Sequence, residues 1–247
     1  VTGVLTLILM FAATGDTTAN TAWRGDSLFY AMRYAEAISA YDSLLSIRRN
    51  DPDLLWRLAR AYVCYGESFE DHQRKELCLK ADTLARQCIS VNESIGEGHT
   101  WLAGALGYIA LDEGMQRQAE LSREILVEAN RALELNPRDD AALSIKGSLY
   151  RALGKVDWIR RRMASLLLGG LPDGGFEEGE AALLQAIAIA PNVMRHHYEL
   201  AVLYYDWERW SEARIEFAKA ADLPIHVAID IPRRDKAKAF LKVLANR

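Results

Sequence analysis

Side chains able to do chemistry are present in this sequence, but they are scattered, and no set of them has the spacing a reaction needs. His99 lies near the start of an apolar-periodic stretch with no second histidine or carboxylate at metal-ligand spacing. It therefore reads as a hydrogen-bonded packing residue rather than a ligand or base. His196 and His197 are adjacent, so on a helix they point to different sides and do not chelate one ion together. The stretch from Gly147 to Gly154-Lys155 has the outline of a phosphate loop. Six residues separate its glycines instead of four, however, and Val156 stands where Ser or Thr would hold magnesium. Glu177, Glu178 and Glu180 form an acidic run at a helix start, which the helix dipole favours without any chemistry. Neither G-x-S-x-G nor H-E-x-x-H occurs. Cys64, Cys78 and Cys88 are odd in number and fall in helix interiors, where a thiol serves as a small buried hydrophobe. No catalytic residue, cofactor or metal is expected, and an enzymatic reading would have to rest on His99 and its neighbouring carboxylates.

Side chains suited to binding are more plentiful. Trp56, Arg60, Tyr108, Arg151, Arg195, Tyr198 and Tyr205 share one helical phase, and aromatic and arginine residues are the types that dominate binding hot spots. Trp56 and Tyr198 also fit packing within a repeat. Arg160, Arg161 and Arg162 follow Trp158 and precede the glycine-rich loop 169–175, forming the densest basic cluster. Two readings apply: a grip on an acidic partner surface, or an inserted helix that turns Trp158, Ile159, Met163 and Leu166 inward and leaves its arginines solvated. The formal net charge is −4, so no overall positive field exists to hold nucleic acid.

The elements that carry these residues are helical repeats. Residues 125–137 contain Ala129, Ala132, Leu133, Leu135 and Pro137, the A-x-x-A-L-x-L-x-P form of a tetratricopeptide second helix, and Leu183, Ala186, Ile187, Ile189 and Pro191 repeat it. Partner helices place Tyr62, Leu106, Tyr150 and Tyr204 at one phase, each three residues after a small residue: Ala59, Ala103, Gly147 and Ala201. A bulky side chain at those four positions would push paired helices apart. The spacing exceeds the usual repeat of about 34 residues, so insertions are expected near 108–120 and 155–178. Leu200, Ala201, Tyr204, Trp210, Ala213, Phe217 and Ala220 form the cleanest unit. Residues 232–245 read as a cap, with Ala237, Phe240, Leu241 and Leu244 on one face and Arg233, Arg234, Lys236, Lys238 and Lys242 largely elsewhere. The first unit is least regular: its second helix carries Tyr34, Ala37, Tyr41, Leu44, Leu45 and Ile47, and its opening helix, around Leu28 to Arg33, is short or merged with what precedes it. No run of alternating β-branched residues occurs. The expected fold is an all-α, tetratricopeptide-like helical-repeat solenoid, an α–α superhelix over residues 23–247 with about four helix pairs and a C-terminal capping helix.

Residues 4–13 are apolar, too few to span a bilayer at about 20 residues but suited to a signal-peptide core. Residues 1–22 are accordingly expected to be a signal peptide or short hydrophobic anchor, which makes the protein exported or membrane-associated; without that role it would be cytoplasmic.

Three segments carry a closer likeness. Gly98-His99-Thr100-Trp101, then Ala132-Leu133-Glu134-Leu135-Asn136-Pro137, then Trp158-Ile159-Arg160-Arg161-Arg162-Met163-Ala164 occur in the order in which the regulator of microtubule dynamics family has them. The chain resembles that family from about Tyr34 to its C-terminus. The resemblance implies a helical domain that docks on partner proteins, microtubule-associated in the animal members. The expected function is thus a protein-interaction module that binds a partner protein or peptide in its concave groove; a structural subunit of a cell-envelope or transporter assembly is the alternative.

Overall fold

Each helix starts and stops where a short-range signal tells it to. The Asp51 carboxylate accepts from the backbone N–H groups of Asp53 (3.0 Å) and Leu54 (3.4 Å), with Pro52 as the first helical residue. Asp139 accepts from Ala142 N–H and Asp157 from Arg160 N–H, both at 2.9 Å. Asn92 and Asn136 close equivalent turns, each side chain accepting from the backbone N–H two residues on.

A computed structural model describes residues 17–245 and shows twelve helices and no strand among them. They are α1 (Thr17–Tyr30), α2 (Tyr34–Ile47), α3 (Pro52–Gly66), α4 (Asp71–Val91), α5 (Gly96–Ala110), α6 (Met115–Leu135), α7 (Asp140–Gly154), α8 (Trp158–Leu167), α9 (Phe176–Ile189), α10 (Met194–Asp206), α11 (Trp210–Asp222) and α12 (Asp230–Leu244). The apolar run at residues 4–13 lies outside the described residues.

Five helix pairs form, α1 with α2, α3 with α4, α5 with α6, α7 with α9 and α10 with α11, one more than the repeat spacing suggests. The extra pair exists because α1 is a complete helix that begins well before Leu28, as in the reading that merges it with what precedes it; it ends at Tyr30, and Met32 takes a left-handed φ of 60° in the turn. Arg33 N–H then reaches back to Leu28 O (2.9 Å), the closure of a Schellman turn. Glu208 (φ 61°) and the bond from Arg209 N–H to Tyr204 O (2.9 Å) repeat it between α10 and α11.

Successive pairs stack so that α3, α5, α7, α10 and α12 contact one another in turn, making an inner layer. Ala59, Ala103, Gly147 and Ala201 are all buried at its seams. Gly147 and Gly179 mark one tight crossing, between α7 and α9. A Cβ on Gly147 would lie 2.5 Å from Leu183 Cγ, and one on Gly179 3.2 Å from Gly147 O. The core comprises three apolar clusters, one under α1 to α3, one spanning α3 to α7 and one in the C-terminal pairs, where Phe217 stacks on Phe240 of the capping helix at 4.7 Å. The insertion at 155–178 is α8 with the loop after it, and the region 108–120 holds the α5–α6 turn and the start of the 21-residue α6.

The inward packing expected of α8 is corrected. Trp158, Ile159, Met163 and Leu166 are exposed, and only Ala164 of this helix is buried. The cause is Arg161, which is not solvated: its guanidinium donates to the carbonyls of Leu153 (2.9 Å), Pro172 (3.2 Å) and Gly174 (2.6 Å). Anchoring that arginine against the loop turns the apolar residues of α8 away from the body.

Candidate functional site

The inner layer meets itself. Glu67, the residue that ends α3, has a side chain only 1% exposed, yet it carries a carboxylate. Such a group is costly to bury unless paired. Arg195 of α10, 128 positions away, donates to both of its oxygens at 2.7 and 2.6 Å, and the Tyr108 hydroxyl of α5 donates to Oε1. Arg233 of α12 stands 4.0 Å from Glu67 and 3.5 Å from Glu199. A second tie joins the ends of the superhelix where Ala228 N–H donates to Tyr34 Oη at 3.0 Å. The inner face is therefore not an open trough: α10 and α12 close one side of it.

What remains is a cavity of about 420 Å³, lined by Trp101, Gly104, Gly107, Tyr108, Ser148, Arg151, Arg195, Glu199 and Arg233 among others. Its floor is unusual. A glycine inside a helix costs roughly 0.5–1 kcal/mol relative to alanine, and α5 holds Gly104 and Gly107 on this face. Gly98 has a packing reason, with Cys88 Sγ 3.1 Å from where its Cβ would be; Gly107 has none, since a Cβ there would meet nothing within 4 Å. Gly104 would touch only Ile145 Cδ1 at 3.4 Å and Trp101 at 3.9 Å. The two glycines keep space clear rather than let helices approach.

The walls carry charge held in fixed positions. Arg151 pairs with Asp206 at 2.9 Å, and the Ser148 hydroxyl donates to Glu199 at 3.2 Å. Burial works against the charge of Arg195, but Glu67 foremost, with Tyr108 after it, outweighs burial and raises its pKa. Burial raises the Tyr108 hydroxyl, with Glu67 adding to the effect, so it stays a donor. Burial and the neighbouring Arg195 oppose the charge of Arg233, yet Tyr108, Glu67 and Glu199 prevail and its pKa is raised too. Its Nη1 is buried and has no hydrogen-bond partner among the described residues. It faces Asp230 Oδ1, likewise without a hydrogen bond, at 4.0 Å, an ion pair too long for a hydrogen bond.

Of the binding candidates singled out in the sequence, three meet here: Tyr108, Arg151 and Arg195. Trp56 and Arg60 do not. Arg60 stacks on Phe29 (3.9 Å to the ring centre) and pairs with Asp26 at 3.3 Å, tying α3 to α1, and Trp56 lies 5.1 Å from the Arg60 guanidinium on the same helix. Tyr198 and Tyr205 pack on Phe217 and Phe240 in the C-terminal core. Arg160 is exposed beside Asp157, and Arg161 is the loop anchor. Thr100 is buried and donates to Asp139 at 2.6 Å, so it leaves the groove to Gly104. The residues missed are Glu67, Glu199 and Arg233. Arg233 belongs to the basic side of the cap in the sequence, but α12 turns it inward; the signal that could have flagged the site was the pair of interior glycines.

His99, His196 and His197 are structural. His99 Nδ1 meets Glu128 at 2.6 Å and its Nε2 meets the Glu93 carbonyl at 3.0 Å; His197 repeats this with Glu216 (2.6 Å) and the Pro191 carbonyl (3.0 Å). His196 turns the other way, to Asp140 at 2.8 Å. Cys64, Cys78 and Cys88 are buried, with burial pushing the thiols of Cys64 and Cys78 up to about 12 and that of Cys88 to about 11. Among the described residues no group of three or more His, Cys, Asp or Glu converges as a metal site.

Residues 24–245 match the family described as regulator of microtubule dynamics protein 1-3. Regulator of microtubule dynamics protein 1 of Bos taurus is 26% identical over 222 residues, covering 88% of this chain and 70% of its own length. Regulator of microtubule dynamics protein 2 of Homo sapiens is 28% identical over 162 residues, covering 65% of this chain; the chain spans 40% of that relative's length. Among solved structures, a thermophilic tetratricopeptide-repeat protein of Thermus thermophilus superposes with a TM-score of 0.69 at 22% identity, covering 91% of this chain and 99% of the other. At that identity the likeness speaks to the fold alone.

Proposed function

The chain belongs to the regulator of microtubule dynamics family, and on that footing we propose that it is a non-catalytic binding module that receives a segment of a partner protein in the cavity on its inner face. The observation that carries this reading is the cavity floor at Gly104 and Gly107, walled by Arg151, Arg195 and Arg233, each held by a carboxylate. Two helix-weakening glycines, one of them with nothing near the place of its missing Cβ, are a standing cost to the fold, and a bound segment gives that cost a use. The segment that suits the site presents a carboxylate or carbonyl to Arg233 and lays small apolar groups over the glycines. Ion pairs already hold Arg151 and Arg195 in place, so little side-chain freedom is lost on binding. A partner associated with microtubules comes first because the relatives are named as regulators of microtubule dynamics.

Gly107→Trp tests the reading cleanly. The new side chain enters open space and improves helix propensity, so the fold should hold while the cavity fills. Proteins captured by the wild-type chain, and its co-sedimentation with microtubules, should be lost in the variant, with circular dichroism unchanged. Retention of every wild-type partner by folded Gly107→Trp would remove the cavity from the function.

A further inference from the structure

The loop after α8 contains the one Asp-Gly pair in the sequence, Asp173-Gly174. Its glycine is imposed by the fold. Gly174 has a φ of 115°, and a Cβ there would lie 2.5 Å from Tyr150 Cε1, so a side chain at this position would be both strained and blocked. Its aspartate has no such role: Asp173 is exposed, and its carboxylate makes no hydrogen bond or ion pair among the described residues. The Gly174 N–H makes no hydrogen bond among them either. A free carboxyl therefore stands next to a free backbone nitrogen that no Cβ shields, the combination that favours attack of that nitrogen on the side chain.

Arg161 restrains the pair. Its guanidinium donates to the carbonyls of Pro172 (3.2 Å) and Gly174 (2.6 Å), one on each side of Asp173, so the backbone there does not turn freely. Arg123 holds the loop further back, at the carbonyls of Leu168 and Gly170. Both restraints are local, since α8 itself buries only Ala164, and a segment with few buried apolar residues opens at lower cost than the body of a fold. Leu171 links the loop to that body: it packs against the core cluster spanning α3 to α7 and lines a second hollow, of about 840 Å³, between the start of α6, the end of α7 and α8.

We propose that Asp173-Gly174 converts spontaneously to an isoaspartyl linkage and that the product frees the loop from Arg161. The Gly174 nitrogen bonds to Asp173 Cγ, and the carboxyl, protonated from solvent, loses a hydroxyl that leaves as water with the amide proton. Water then opens the cyclic imide. Cleavage between the nitrogen and Cγ restores aspartate, whereas cleavage between the nitrogen and the former backbone carbonyl carbon leaves the chain running through Cβ and Cγ. No atom is gained or lost overall. The chain between the Pro172 and Gly174 carbonyls is one carbon longer in the product, so the rigid fork of one guanidinium no longer fits both. The inner cavity takes no part, and the site does not depend on what that cavity binds. The test stores the full chain, Arg161→Ala, Asp173→Glu and a free peptide of residues 169–178 warm at neutral pH. Isoaspartate is read by peptide mapping with mass spectrometry and by methyl transfer from an isoaspartyl-specific methyltransferase. It should appear at Asp173 before any other position, more slowly than in the peptide, and Arg161→Ala should speed it severalfold. Asp173→Glu should stay unconverted, because the larger imide ring closes far less readily. The converted fraction should show faster hydrogen exchange and proteolysis over residues 168–175 than the unconverted one. No isoaspartate at Asp173 once the peptide has turned over would overturn the proposal, and so would a converted chain whose loop stays protected. Conversion of folded Arg161→Ala at the wild-type rate would overturn it too, since the grip of Arg161 would then have no part in the reaction. Melting curves establish that Arg161→Ala folds, and the comparison of wild type with peptide stands without it.

Discussion

Glu67→Ala is the perturbation that most directly tests how the inner face is held shut. The carboxylate is 1% exposed and accepts two bonds from Arg195 and one from Tyr108, so its removal strands the Arg195 guanidinium in a partly dehydrated site and leaves the buried Tyr108 hydroxyl without its acceptor. Breaking a buried pair from one side costs about 3–5 kcal/mol. For a chain of this length each kcal/mol moves the melting temperature by about 2–4 °C, so a fall of roughly 6–20 °C is expected. Arg195→Ala should cost a similar amount by stranding Glu67, and the two losses should not add, because the second substitution removes the charge that the first left uncompensated. Calorimetry on the four proteins of the cycle reads both quantities. Added salt should change the coupling little, since the pair lies out of reach of counterions. A loss below about 1 kcal/mol for Glu67→Ala, or strict additivity, would show that α3 and α10 are not joined through this pair, and the closed superhelix would have to be abandoned.

Gly147→Ala should destabilise the chain even though alanine is the better helix former: overpacking against Leu183 Cγ at 2.5 Å costs about 1–3 kcal/mol against a gain of about 1. In a Leu183→Ala background the same change should turn stabilising, read as a reversal in the shift of the urea midpoint. His99 faces acceptors on both ring nitrogens, the Glu128 carboxylate and the Glu93 carbonyl, so it is held as an imidazolium; burial opposes the charge, but those bonds win and its pKa is raised. A raised folded pKa gives stability that is full below the unfolded value of about 6.5 and fades as pH climbs through the folded value. The melting temperature should therefore fall on going from pH 6 to pH 8 by more in the wild type than in His99→Gln, and an NMR titration should place His99 above the free value. Arg161→Ala should release the loop 168–175 to faster hydrogen exchange and proteolysis, and Arg161→Lys should not restore it, because one ammonium cannot span the carbonyls of Leu153, Pro172 and Gly174.

The repeat was legible because each helix pair is a local object. Ala59, Ala103, Gly147 and Ala201 sit three residues before a bulky partner in four of the five pairs, and a spacing that short is written directly into the chain. The contact of Glu67 with Arg195 is not written that way. It depends on how small rotations between successive pairs accumulate over three units, and no local pattern encodes that sum. The same limit applies to the binding candidates: Arg60 and Arg195 are both arginines of inner-layer helices, but Asp26 and Phe29 of α1 hold the first while Glu67 holds the second at the inner cavity. α8 was misread for a related reason. A helical wheel shows that it has an apolar side and an arginine side, but not which of them the body of the protein will take.

The segments that carry the family likeness do structural work on either side of the two hollows. Gly98 lets α5 approach Cys88, His99 locks α5 to α6 through Glu128, and Trp101 then lines the inner cavity. Asn136 and Pro137 end α6 and pass the chain to the Asp139 cap, whose other oxygen holds Thr100 back in α5. Arg161 fixes the insertion against the loop and so sets the outward face of α8. None of these residues is placed to react with a ligand; each sets the distance or orientation of a helix that walls a hollow. These segments thus build the frame on which the polar walls of the inner cavity, Arg151, Arg195 and Arg233 with their carboxylate partners, are held in place.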